Sequence, residues 1–199
     1  MPDQNSVAAR RGDQDGPRKA ELLDKLLTYS ADHGLSGVSL RPLAAAVGSS
    51  PRVLLYFFGS KAELVRAVHQ HARAEQLRVL DEALAGHRDP AAAMRALWRW
   101  LADPAHHNVE RFFFEGYARS LHDADGPWRR FGADSVHEWL PRIEAAVASS
   151  SGDAEATGGA EATLLLAALR GLLLDLLATN DTARVQAAAE RLLAVHVAA

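Results

Sequence analysis

Apolar residues along this chain recur at three- and four-residue spacing, and β-branched runs with a period of two are missing. That pattern predicts an all-α protein. Between Arg18 and His33 the set Leu22, Leu23, Leu26, Leu27 and Ala31 marks one helical face, and Gly34 follows where a left-handed cap sits. Ser39 is placed to N-cap a short second helix with Pro42 in its first turn, where a missing N–H breaks no helical bond. Leu40, Leu43, Ala44 and Val47 form its inward set, and Gly48 stops it. Ser50 caps a third helix with Pro51 at its first position. Gly59 ends that helix, and Ser60-Lys61-Ala62-Glu63 is a capping box opening a long fourth helix, which carries Leu64, Val65 and Val68 on toward Leu80 or Leu84. Two short helices joined across Gly48, Ser49 and Ser50 make a helix-turn-helix pattern. Every junction carries its own stop and start signal, and that agreement is stronger than any one of them.

Beyond Gly86-His87-Arg88-Asp89-Pro90, helices are predicted at about 91–102, 105–122, 128–149, 155–179 and 182–197. Ser149-Ser150-Ser151-Gly152-Asp153 reads as a linker and Asn180-Asp181 as the last turn. The resulting division is a disordered tail at 1–16, a helix-turn-helix head at 17–64 and a larger helical domain at 65–199.

Composition agrees with a folded chain: 199 residues, 48% hydrophobic and 24% charged. With no cysteine, disulfides and thiolate metal sites are excluded. The polar first residues lack the apolar core of a signal peptide. The leucine-rich run at 164–178 is broken by Arg170 and Asp175, which predicts a buried helix, not a membrane span. Residues 1–70 hold nine Lys and Arg against seven Asp and Glu, a net +2, while 71–199 hold 13 against 18, a net −5. Between Asp32 and Glu63 there is no acid, while Arg41, Arg52 and Lys61 fall inside that window. Such a face can approach a phosphate backbone without acid–phosphate repulsion.

The stretch VSLRPLAAAVGSSPRVLLYFFGSKAEL, residues 38–64, resembles the N-terminal DNA-binding domain of TetR-family transcriptional regulators, and LRGLLLDLLATND with RVQAAAERLL is similar to the closing two helices of many members. The resemblance implies a regulator, most often a repressor, that binds a palindromic operator as a homodimer in the cytoplasm and leaves it when a small-molecule effector enters the second domain. No cofactor, metal or membrane partner is expected. The third helix is then the reader of the major groove, its N-terminus free to meet a phosphate. Arg52 is the candidate base reader, because a guanidinium pairs bidentately with guanine. Ser39, Arg41, Tyr56 and Lys61 are candidates for phosphate contacts, with Ser49, Ser50 and Pro51 at the helix start. Lys61 stands where the family has its phosphate-contacting lysine. The chain departs from the family pattern at Leu55, which occupies the usual tyrosine position and reads as core, and at Phe57, where histidine or tyrosine is frequent; Phe58 fits the core phenylalanine.

The second domain is rich in aromatic residues, and ligand pockets are mostly apolar with a few polar groups. Trp98, Phe113, Tyr117 and Trp139 are the candidate pocket lining, with Glu110, His137 and Arg170 as polar partners. Leucine runs almost all round the penultimate helix, which demands burial on more than one side. Leu165, Leu169, Leu172, Leu173 and Leu176 with Val185, Ala189, Leu192 and Val195 are the candidate dimer interface. The histidine pairs His69/His71 and His106/His107 lack the spacing of a helical zinc site, and His106 with Glu110 supplies only two ligands. No phosphate loop, dinucleotide fingerprint or nucleophile elbow is present, so no catalytic residue is assigned. Two rivals remain: a small-molecule-binding protein or enzyme with a vestigial head, and a protein-interaction adaptor.

Overall fold

The computed structural model describes residues 4–35, 37–122, 128–148 and 158–196. Every regular element among them is helical. The chain divides into two compact units, Met1–Ala72 and Arg73–Ala199, so the division falls inside the fourth helix. The predicted linker at 149–153 lies outside the described residues.

The first unit contains α1 (Gln4–His33), α2 (Leu40–Ala46), α3 (Pro51–Phe58) and the start of α4 (Lys61–Gly86). Helix α1 extends back through most of the stretch that reads as a tail. Alanine, arginine and glutamine there have good helix propensity even though the segment offers no apolar face. Pro17 lies within it and lacks the N–H of one helical bond. Leu22, Leu26, Leu35, Leu43, Ala44, Val47, Leu54, Phe58, Leu64, Val65 and Val68 are buried, while Leu23, Leu27, Ala31 and Leu40 of the periodic set are only partly so. His71 of α4 meets the Asp24 carboxylate of α1 at 2.7 Å.

The second unit contains the rest of α4, α5 (Pro90–Leu101), a 3-10 turn (Pro104–His106), α6 (His107–His122), α7 (Phe131–Ala148), α8 (Gly158–Thr179) and α9 (Thr182–His196). Asp89 caps α5 by accepting from the Ala91 and Ala92 N–H groups, with Pro90 behind it. Asn180, at φ 54°, closes α8 in the left-handed region. Arg184 grips the Asp175 carboxylate with two bonds of 2.7 Å, fixing the α8–α9 turn. Ion pairs hold α4 to α7: Arg73 with Glu138 at 3.2 Å and with Asp134 at 3.9 Å, and Asp81 with Arg142 at 2.6 Å. The core runs through Leu80, Met94, Leu97, Trp98, Ile143, Leu165, Leu169, Leu173, Val185 and Leu193. Helix α8 has the length and apolarity of a membrane span, but one side packs into this core and Arg170 turns inward with it.

Candidate functional site

The turn between α2 and α3 is built by its glycine. Gly48, at φ 63°, lets the Ser49 N–H reach back to the Ala44 carbonyl at 2.8 Å while its own N–H bonds Ala45 at 3.2 Å. That pair of bonds is a Schellman motif, and a side chain at Gly48 would strain it. Ser50, in extended backbone, caps α3 by accepting from the Val53 N–H at 3.3 Å, with Pro51 at the first position. Ser39 occupies the N-cap of α2, but its side chain makes no capping bond. Gly59, at φ 76°, ends α3, and a Cβ there would run into the Glu63 carboxylate. The Ser60 hydroxyl then accepts from the Glu63 N–H at 3.1 Å, making the serine half of the predicted capping box.

Leu54 and Phe58, one turn apart, anchor α3 in the core, with the Lys19 ammonium 5.4 Å from the Phe58 ring centre. The opposite face presents Arg52, Val53, Leu55 and Tyr56 to solvent. Ser39, Arg41 and Ser50 are also exposed, and Ser49, Pro51 and Lys61 are partly so. Leu55 is a correction: it is 41% exposed and is not core, because α3 is too short to bury more than one stripe and Leu54 and Phe58 take it. Leu54→Ala should therefore destabilise the protein by about 2–5 kcal/mol, and Leu55→Ala by no more than about 0.5 kcal/mol, in thermal or denaturant unfolding.

In the second unit Gln76, Leu101, Glu110, Phe113, Phe114, Trp139, Leu166, Leu169, Arg170 and Leu173 enclose a narrow cavity of about 20 Å³. That is room for about one water molecule. Glu110, Phe113, Phe114 and Tyr117 share a face of α6 at helical spacing. The Glu110 carboxyl is fully buried and accepts from the Gln76 amide at 2.5 Å, leaving its Oε1 without a partner among the described residues. Burial pushes its pKa up to about 7, opposed by the Gln76 bond. Among the described residues Gln76 Oε1 and Trp139 Nε1 are also buried without a partner. Arg170 donates to the Ser135 carbonyl and hydroxyl at 3.3 and 3.1 Å. Its guanidinium lies 5.3 Å from the Tyr117 ring centre and 5.9 Å from those of Phe113 and Trp139. Burial pulls its pKa down, opposed by Tyr117. A guanidinium stays charged in such a setting.

Of the predicted lining, Glu110, Phe113, Trp139 and Arg170 meet at the cavity, and Tyr117 reaches it through Arg170. Trp98 does not. It is core, its indole N–H donating to Gln186 at 2.8 Å and tying α5 to α9. His137 is exposed, because α7 turns Trp139 inward and His137 lies two residues before it. His106 stacks on Trp100 with ring centres 4.0 Å apart and does not join Glu110. Sequence reasoning missed Gln76, although a glutamine in the apolar stripe Val68, Ala72, Leu80 at four-residue steps is a readable signal. Among the described residues no three His, Asp or Glu side chains converge as a metal site.

The dimer-interface residues also need correction. Leu165, Leu169, Leu173, Leu176, Val185 and Ala189 are buried within this single chain and have no surface to offer a partner. Leu172 and Leu192 are partly buried against the same core, and only Val195 is well exposed. The outward faces instead carry Leu164, Ala167, Gly171, Leu174 and Ala178 on α8, and Ala187, Ala188, Ala194 and Val195 on α9. A helix with leucine on every side gives its neighbours no phase to read, so sequence alone selected the inward set.

The sequence model of bacterial regulatory proteins, tetR family, matches residues 22–68, from the first buried leucine of α1 into α4. No curated protein matches the chain. Among solved structures, a TetR-family transcriptional regulator from Streptomyces coelicolor is similar, with a TM-score of 0.73 at 17% identity over 89% of this chain and 93% of that one. A transcriptional regulator from Rhodococcus sp. Rha1 gives a TM-score of 0.72 at 22% identity over 89% and 95%. SmeT, the repressor of the Stenotrophomonas maltophilia multidrug efflux pump SmeDEF, gives 0.62 at 17% identity over 89% and 88%. At these identities the likeness is one of fold.

Proposed function

The helix-turn-helix head of this chain belongs to the tetR family of bacterial regulatory proteins, and from that premise we propose a ligand-responsive regulator that grips a palindromic DNA operator as a homodimer. The observation that carries the reading is the outward face of α3, where Arg52, Val53, Leu55 and Tyr56 stand exposed on a helix pinned from behind by Leu54 and Phe58. Exposed valine and leucine on a helix this well anchored suit contact with thymine methyl groups, beside an arginine suited to guanine. Ser39, Arg41, Ser49, Ser50, Pro51, Tyr56 and Lys61 supply backbone contacts that set register.

A dimer must space its two reading helices by about 34–36 Å to occupy successive major grooves. The outward faces of α8 and α9 are the proposed contact between protomers, forming a four-helix bundle. Seated on a palindrome, such a dimer excludes other proteins from that DNA, which makes repression its direct effect in the bacterial cytoplasm. Helix α4 begins at Lys61 in the head and contributes Gln76 to the cavity wall. A ligand favouring a conformation with α4 displaced lowers operator affinity by its differential affinity for the two states.

Arg52→Ala should relax discrimination at one operator position at a cost of about 1–3 kcal/mol. Lys61→Ala should weaken binding to all duplexes and lower the salt slope by about one. Fluorescence anisotropy against a selected duplex and its point variants, over a salt series, reads both. Unchanged binding in both variants would remove this face from the account.

A further inference from the structure

Arg170 has no carboxylate partner among the described residues, though it is largely buried and lines a cavity. Its surroundings are the ring faces of Phe113, Tyr117 and Trp139, the Tyr117 hydroxyl and the oxygens of Ser135. Trp139 lines the same cavity, and its indole N–H is buried without an acceptor among the described residues. Leu101, Leu166, Leu169 and Leu173 make the rest of the wall apolar. Buried charges are ordinarily paired, and buried donors ordinarily bonded.

Resting on the regulator reading above, we propose that this cavity takes an amphipathic organic monocarboxylate. Its anionic head supplies the counter-ion that Arg170 lacks and accepts from Trp139 Nε1, while its apolar body lies along the leucines. An amine would suit Glu110 and Gln76 Oε1, but it would sit in the same small cavity as an unneutralised guanidinium. The void is far smaller than the about 300 Å³ that a ligand pocket commonly needs, so entry spreads the wall. Gln76 belongs to that wall and to α4, so spreading it acts on the helix that leads to the head.

Of the side chains lining the cavity, only Glu110 and Arg170 are ionisable; α4 contributes Gln76, α5 Leu101, α7 Trp139 and α8 three leucines beside Arg170. An anion brought in here holds the Glu110 proton more tightly, so binding takes up protons around neutrality and strengthens as pH falls.

The test uses the full chain and three eight-carbon probes, octanoate, octanamide and octylammonium, titrated by calorimetry at about pH 6 and about pH 8.5. Octanoate should bind at least about ten-fold more tightly than either of the others, and more tightly at the lower pH. Arg170→Gln should remove that preference and Arg170→Lys should restore part of it. Glu110→Gln should keep octanoate binding and flatten its pH dependence. The comparison of probes on the unaltered protein stands even where an Arg170 variant fails to fold. Preference for octylammonium, equal binding of all three, or no binding of any overturns the proposal. Such a result in a protein that still selects an operator overturns this inference alone, whereas octanoate preference in a protein that selects no DNA supports the site and removes the regulator reading.

Discussion

Replacing Glu110 with glutamine should stabilise the protein above neutral pH and remove a fall in its stability between about pH 4.5 and about pH 7. The carboxyl is fully buried, and its pKa is raised from 4.5 to about 7, chiefly by burial. In that window the folded state holds a proton that the unfolded chain has released, so stability falls as pH rises and levels off above the folded pKa. At about 1.4 kcal/mol per unit, the full effect is about 3 kcal/mol. Glutamine keeps an oxygen to accept from Gln76 and carries no charge to bury. Urea unfolding of both proteins at about pH 5 and about pH 8 should show the variant ahead only at the higher value. Parallel pH profiles would mean that Glu110 is ionised and paired in solution.

The second large effect is expected at Leu174. It is 48% exposed on α8 and stands in the stripe with Leu164, Ala167, Gly171 and Ala178. In a two-fold dimer each substitution appears twice at the contact, and Leu174→Glu buries two unpaired carboxylates there. The variant should sediment as a monomer and lose at least about a hundred-fold in operator affinity. Its melting at low protein concentration should stay close to that of an unassembled parent, because the side chain touches no core. A dimer that persists with unchanged DNA binding would move the interface elsewhere.

Those two residues show where the sequence was readable and where it was not. The end of α2, both ends of α3 and the start of α4 were legible because each rests on local chemistry: Gly48 and Gly59 at positive φ, Ser50 and Ser60 accepting from the N–H three residues on, Pro51 at a first turn. The cavity was legible in part, since Glu110, Phe113 and Tyr117 share one helical face. Facing direction on α8 was not, because leucine on all sides leaves its hydrophobic pattern without a phase. The place of Trp98 was not legible either, because its partner, Gln186, lies 88 residues away, beyond any local pattern. Leu55 reads as core because hydrophobic residues are mostly buried, a rule that fails on a short helix with one buried stripe.

Large exposed apolar side chains gather on the outward face of α3 and on α8 and α9. Val53, Leu55 and Tyr56 are three of the large exposed apolar or aromatic side chains among the described residues, and Leu164, Leu174 and Val195 on α8 and α9 are three more. In the proposed regulator duplex DNA covers the first group and a second copy of the chain the other.

The most direct measurement is selection of retained duplexes from a random library by the purified protein, at about 50 and about 200 mM salt, followed by sequencing. The account predicts a palindrome whose half-sites lie about one helical turn or a multiple of it apart, with retention falling steeply as salt rises. A sequence without two-fold symmetry, or no enrichment at either salt, would contradict it.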